Sequence, residues 1–176
     1  MCFSFHLSAK VNFFINLASL FSNFAVMKPN PLQTSFPEDT FRTKGLRKRL
    51  VELLQSKGIN NQAILGAIEK IPRHLFLDAA FLEFAYQDKP FPIGSGQTIS
   101  QPFTVAFQTT LLDVKVRDKI LEIGTGSGYQ ACVLLELGAK VFTIERQKNL
   151  YDKTRTFLPS IGYNPRMFYG DGYRGL

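Results

Sequence analysis

A doubly wound, parallel α/β sheet is the fold class this sequence predicts, and two observations carry it. Beyond residue 112 short apolar runs alternate with helical stretches. Residues 119–123 read as a strand, 129–137 as a helix, 141–144 as a strand, 148–158 as a helix and 167–169 as a third strand. Strands separated by helices of this length need crossover connections, which make neighbouring strands parallel. Between the first strand and the first helix lies Leu121-Glu122-Ile123-Gly124-Thr125-Gly126-Ser127-Gly128. Open α/β sheets bind ligands at such turns, because glycine lets the backbone approach closely and unpaired N–H groups at a helix start attract anions.

Upstream of this region the pattern is helical. Leu46, Leu50, Leu53 and Leu54 fall on one face of an amphipathic helix closed near Gly58, and Lys44, Arg47, Lys48, Arg49 and Lys57 supply much of the formal net charge of +7. A solvated basic face explains these residues more economically than a nucleic-acid site, since charge alone reports non-specific attraction. A second helix is expected from Gln62 to Lys70 after an Asn cap, with Ile64, Ile68 and Ile71 buried and Pro72 blocking continuation. Residues 75–86 are dense in Phe and Leu, and Phe76, Phe81 and Phe84 read as core.

Residues 1–40 read as an irregular extension, with Pro29, Pro31 and Pro37 denying residues 28–40 regular structure. The apolar stretch from Val11 is interrupted by Asn12, Asn16, Ser19 and Ser22, too often for a membrane span, and it lacks a signal-peptide pattern. Composition changes at Met27, so residues 1–26 are read as lying upstream of the true start. Cys2 and Cys132 imply no disulfide framework, and neither His6 nor His74 has partners at metal-ligand spacing, so no metal is expected.

The glycine-rich turn departs from the dinucleotide fingerprint, because Tyr129 stands where its last glycine would fall and the third glycine comes early at Gly128. Two carboxylates accompany it. Glu145 ends the second strand at the spacing that brings an acidic side chain to ribose hydroxyls in Rossmann-type sites, and Gly170-Asp171-Gly172 follows the third strand. An isolated carboxylate is ordinarily a surface charge, but three successive strand ends that point at one ligand favour a nucleoside site.

The G-x-G-x-G form led by Glu122 is similar to the first motif of the class I methyltransferases. Gly96-Gln97-Thr98-Ile99-Ser100-Gln101-Pro102, upstream of the turn, resembles the signature of the protein-L-isoaspartate methyltransferases. The resemblance extends through Ile71-Pro72-Arg73, Ala85-Tyr86, Pro92-Ile93-Gly94, Leu121 to Tyr129, Ile144-Glu145-Arg146 and Gly170-Asp171-Gly172. It implies a methyltransferase domain over residues 41–176, the first half of a Rossmann-like sheet preceded by a helical region and incomplete at its C-terminal end.

The resemblance also implies S-adenosyl-L-methionine as cofactor. Glu122, Gly124, Thr125, Gly126, Ser127, Gly128, Glu145, Arg146, Asp171 and Gly172 would bind it, with Glu145 at the ribose and Asp171 at the adenine amino group. The acceptor implied is the free carboxylate of an L-isoaspartyl residue in damaged proteins. That group is ionised near neutral pH, so alignment rather than a general base is needed. Ser100 becomes a positioning donor, with Thr98, Ile99 and Gln101 shaping the peptide site. The residues themselves also allow Ser100 to be a helix N-cap, with Pro102 in the first turn.

The alternatives are a methyltransferase acting on RNA or another substrate, and an inactive cofactor-binding fragment. The expected setting is a cytoplasmic protein, monomeric when complete, with isoaspartyl peptides as partners and no nucleic acid or membrane. Because the family's sheet continues beyond a third strand, one side of the strand at 120–123 is expected to lie unpaired and prone to aggregation.

Overall fold

The computed structural model describes residues 10–12 and 37–174. The expected alternation is present beyond residue 112, with strands and helices there in the predicted order. Strand β1 (Lys10–Asn12) is followed by helices α1 (Phe41–Ser56) and α2 (Gln62–Lys70), then two 3-10 turns over Arg73–Phe76 and Ala79–Phe84. A hairpin, β2 (Phe91–Gly94) and β3 (Gln97–Ile99), precedes helix α3 (Pro102–Leu112). The remainder is β4 (Lys119–Ile123), α4 (Tyr129–Glu136), β5 (Lys140–Glu145), α5 (Lys148–Ser160) and β6 (Arg166–Tyr169).

The main sheet has the order β1-β4-β5-β6 with every pair parallel. Parallel pairing follows from the helical crossovers α4 and α5, which return the chain to the same end of the sheet each time. Turns leaving β4, β5 and β6 therefore share one edge.

The side of β4 expected to be open is partly covered. Lys10, Val11 and Asn12 pair with Ile120, Leu121 and Glu122, so the early segment contains a strand rather than wholly irregular chain. The physical reason is that an edge strand offers a row of N–H and C=O groups to any extended segment within reach. The readings made for the rest of residues 1–36, including the start at Met27, lie outside the described residues.

Helix α2 runs over the expected residues because Asn61 accepts hydrogen bonds from Ala63 N and Ile64 N at 3.0 and 3.2 Å. Its Ile64 and Ile68, with Ile71 beyond, pack on Leu50, Val51 and Leu54 of α1 and on Val105 and Ala106 of α3 in one core. Three expectations for the outer layer are corrected. Leu53 is 40% exposed and Phe84 47% exposed, since α1 and the second 3-10 turn each present a narrower buried face than their apolar count suggests. Arg47 is buried rather than solvated. Its guanidinium reaches Asp39 at 3.2 and 3.0 Å and the Tyr86 hydroxyl at 3.3 Å, contacts that only the folded chain assembles.

Candidate functional site

At the C-terminal end of the sheet the turn from Gly124 to Gly128 leaves β4 with positive φ at all three glycines. At Gly128 the requirement is absolute in two ways. Its φ is +83°, and a Cβ there would stand 2.7 and 2.9 Å from the methyl carbons of Leu158. Gly124, by contrast, is exposed, and a Cβ built on it meets nothing within 4 Å, so the backbone there borders open space.

The three strand ends are joined by hydrogen bonds. Gly124 N donates to Ile144 O at 2.8 Å, and Gly126 N donates to Glu145 Oε2 at 2.8 Å. The second carboxylate oxygen of Glu145 accepts from Gln147 N at 2.8 Å, while its carbonyl accepts from Gly170 N at 3.0 Å. Each oxygen of Glu145 keeps a further lone pair for a hydroxyl. Gly172 lies against the end of β4, where a Cβ would be 2.4 Å from Ile123 Cγ2. Asp171 is exposed, with Oδ1 accepting from Tyr173 N at 3.1 Å. Turn, Glu145 and the Gly170–Gly172 segment thus lie together at one end of the sheet.

Glu122 and Thr125 belong to the layer beneath. Glu122 is 2% exposed, and its Oε2 accepts the Thr143 hydroxyl at 2.6 Å, which in turn meets Thr125 Oγ1 at 2.6 Å. Burial, opposed by the Thr143 hydrogen bond and reinforced by the nearby Glu145, pushes the Glu122 carboxyl up to about 8. It supports the turn as a largely protonated acid at neutral pH. Thr154 ties the same turn to α5 by donating to Gly126 O at 2.6 Å. Ser127 Oγ accepts from Tyr129 N at 3.4 Å, and Arg146 is exposed just beyond Glu145.

The Ser100 segment reaches this end of the sheet through the β2–β3 hairpin. Ile93 Cδ1 lies 3.3 Å from where a Cβ of Gly126 would stand, so the hairpin flanks the turn. Thr98 is half-buried and Ile99 buried on β3, and Ser100 follows as a half-buried residue.

The capping reading of Ser100 is corrected: the N-cap of α3 is Gln101, without a side-chain cap, and Pro102 occupies the first turn. Asp88 does the work from a distance, accepting from Phe103 N at 2.7 Å and from Gln101 Nε2 at 3.0 Å while paired with Lys57 at 2.6 Å. Burial alone would raise the Asp88 pKa. The Lys57, Phe103 and Gln101 hydrogen bonds outweigh it and hold the carboxyl below its ordinary value.

Asp88, Thr143 and Thr154 escaped the sequence reading because nothing in their local pattern marks a residue that acts across the fold. Arg73 stood inside a quoted motif without a role, yet its Nη2 donates to Ser100 O at 2.9 Å. A groove of about 470 Å³ lined in part by Lys70, Val116 and Glu136 lies beside the N-terminal approach to β4, away from these residues.

The fold is that of part of a class I methyltransferase sheet: parallel strands, a glycine turn after the first of the βαβ series, and a carboxylate closing the next. Residues 45–176 match the family model described as protein-L-isoaspartate(D-aspartate) O-methyltransferase. The chain belongs to that family.

A protein-L-isoaspartate O-methyltransferase of Flavobacterium johnsoniae is 59% identical over 140 residues, covering 79% of this chain and 66% of the relative. That of Cytophaga hutchinsonii is 58% identical over 139 residues, covering 79% and 63%. The chain therefore spans just under two thirds of the length of these curated relatives.

Among solved structures, a protein-L-isoaspartate O-methyltransferase superposes with a TM-score of 0.66 at 26% identity, covering 74% of this chain and 44% of the other. A Plasmodium falciparum structure described by the same activity, in complex with S-adenosyl-L-homocysteine, superposes with a TM-score of 0.57 at 24% identity. It covers 70% of this chain and 62% of its own, and it supports the fold. Among the described residues no helix is long and apolar enough to cross a membrane.

Proposed function

We propose that this chain carries the donor site and the acceptor loop of an enzyme that transfers a methyl group to the free carboxylate of L-isoaspartyl residues in damaged proteins. The observation that carries the proposal is the flanking of the glycine turn by the hairpin that ends at Ser100. It puts the family-like Gly96 to Pro102 segment beside the strand ends suited to a nucleoside.

The residues present fit S-adenosyl-L-methionine, because backbone at Gly124 borders open space and Glu145 holds unused acceptor capacity at the next strand end. When bound, that cofactor supplies an electrophilic methyl carbon on a sulfonium. Glu145 would hold the ribose hydroxyls, Asp171 and Gly172 the adenine side, and Gly124, Gly126 and Ser127 the space for the amino-acid portion, with Thr125 and Gly128 fixing the turn from within. Glu122 acts from below by keeping the turn in shape, and Arg146 lines the exposed side.

On the acceptor side Ser100 orients the isoaspartyl carboxylate by hydrogen bonding, while Thr98, Ile99 and Gln101 shape the peptide cleft. Hydrogen bonding aligns that carboxylate with the methyl carbon, excluding water from it favours an attack that neutralises charge, and no proton needs to move.

An RNA acceptor is disfavoured by the Gly96 to Pro102 segment, which resembles the isoaspartyl family's signature, and by the partial engagement of the basic helix. Arg47 pairs with Asp39 and Lys57 with the buried Asp88, so part of the basic charge is taken up by the protein's own carboxylates. We place the protein in the cytoplasm as a monomer, with isoaspartyl peptides as its partners and no metal.

The test is methyl transfer to an isoaspartyl peptide by the full-length protein. Ser100→Ala is expected to lower single-turnover transfer by roughly tenfold or more while cofactor affinity holds. Glu145→Ala is expected to weaken cofactor binding by about 1–3 kcal/mol in calorimetry. Transfer to RNA in place of peptide, or equal cofactor affinity with and without the Glu145 carboxylate, would overturn the assignment.

A further inference from the structure

Arg73 is the largest fully buried side chain of the described residues, with no exposure at all. A buried guanidinium carries a large desolvation cost and is ordinarily matched by a carboxylate. None of the ion pairs among the described residues includes Arg73. Its hydrogen-bond partners are main-chain carbonyls, with Asp88 acting on it only as a nearby charge: Nε donates to Ala85 O at 3.1 Å, and Nη2 donates to Ser100 O at 2.9 Å and to Lys89 O at 3.4 Å. Its guanidinium carbon lies 4.8 Å from the centre of the Tyr129 ring, a cation–π contact.

Tyr129 opens α4 immediately after Gly128, so one planar group touches both the acceptor loop and the end of the glycine turn. Tyr129 is itself fixed edge-on to Phe76 at 5.3 Å, and Phe76 to Phe157 of α5 at 5.2 Å, which makes that end of the contact rigid.

We propose that Arg73 is the positioning residue that sets the Ser100 loop against the glycine-rich turn, so that acceptor and methyl donor meet in register. This rests on the reading of Ser100 as the acceptor-side residue. Carbonyl partners suit the task because they belong to the backbone, and clamping them fixes the course of the loop itself rather than one side chain. Arginine alone suits it, since a flat fork can bond two separate carbonyls at its edge while its face lies on a ring; lysine carries the charge without the plane. A purely space-filling role would leave no reason for the bond to Ser100 O, and it would lower stability without separating turnover from cofactor affinity.

The experiment uses the full-length protein with Arg73→Lys, Ser100→Ala and the double variant. It reads single-turnover transfer to an isoaspartyl peptide, S-adenosyl-L-homocysteine affinity by calorimetry, and amide hydrogen exchange. Arg73→Lys is expected to slow transfer by roughly tenfold or more while affinity for S-adenosyl-L-homocysteine stays within about threefold of wild type. The double variant is expected to be about as slow as the slower single variant, because one residue acts through the other. Amides at 97–103 should exchange faster in Arg73→Lys, with protection of 124–128 by S-adenosyl-L-homocysteine retained.

Unchanged transfer in Arg73→Lys alongside a slow Ser100→Ala overturns the proposal, as do multiplicative losses in the double variant. If Ser100→Ala transfers at the wild-type rate, the acceptor reading of Ser100 fails. The clamp then stands or falls on exchange at 97–103, faster exchange supporting it and unchanged exchange refuting it. Should Arg73→Lys not fold, Tyr129→Leu removes the ring beneath the guanidinium while keeping an apolar side chain against Phe76, and it must raise exchange at the same amides for the clamp to survive.

Discussion

The glycine turn and the Ser100 loop stand beside each other, yet they are held in place by different physics. The turn is shaped by backbone conformation and close packing: positive φ at Gly124, Gly126 and Gly128, Leu158 pressed against Gly128 and Ile93 against Gly126, and short hydroxyl bonds to Thr143 and from Thr154. The loop is shaped by charge, with Arg73 on its carbonyl side and Asp88, held by Lys57, on its amide side. The turn should therefore be brittle toward added volume and the loop toward lost charge, and the two should respond to pH in opposite directions.

The harshest way to break this comparison is Gly128→Ala. An added methyl meets Leu158 within 3 Å at a φ that L-residues rarely adopt, so a loss of about 2–4 kcal/mol is expected in urea unfolding. A loss below about 1 kcal/mol would mean that the turn is not set by packing.

Next in size is Asp88→Asn, which leaves Lys57 without its partner and weakens the bond to Phe103 N, with an expected loss of about 1–3 kcal/mol at neutral pH. The Asp88 pKa is lowered on folding, so its contribution is present above the ordinary carboxylate value of 3.8 and fades as pH falls through the lowered one. Wild type and variant should converge in acid, which an unfolding series against pH would check.

The turn answers from the alkaline side. With its pKa raised to about 8 from 4.5, Glu122 keeps a proton in the folded state that the unfolded chain has lost. Stability from this group is therefore full below the unfolded value, declines as pH rises between the two, and levels off above about 8. Glu122→Gln should flatten that decline and melt on the order of 2–4 °C above wild type at mildly alkaline pH. A variant that keeps the wild-type slope would move the titration elsewhere.

The smallest effect sharpens the contrast between buried and exposed charge. Arg42 and Glu83 pair at 2.8 Å, but their side chains are 70% and 66% exposed, so Arg42→Ala should change stability by no more than about 0.5 kcal/mol.

What could be read in the sequence followed the range of the forces involved. Asn61 predicted the start of α2 because a cap acts over two or three residues, and the glycine turn predicted its own place because positive φ is a local demand. The apolar count along α1 located its helix but misplaced Leu53 and Arg47, since neighbours from Asp39 and Tyr86 decide which side of a helix is inside. The hairpin at 91–99 gave no alternation long enough to notice, and Ser100 looked like a cap only because Asp88, far off in sequence, was not yet beside Phe103.

By itself, then, the sequence determined the alternation of strands and helices beyond residue 112, the parallel sheet they form and the family. Each of these is written in spacing, periodicity or a contiguous motif. Only the tertiary structure decided that Arg73 grips the Ser100 carbonyl, that Asp88 caps α3, that Glu122 lies under the turn rather than open to it, and that Lys10–Asn12 pairs with β4. Those contacts join residues distant along the chain, and their free energy exists only once the intervening backbone has been brought together at an entropic cost that no local pattern records.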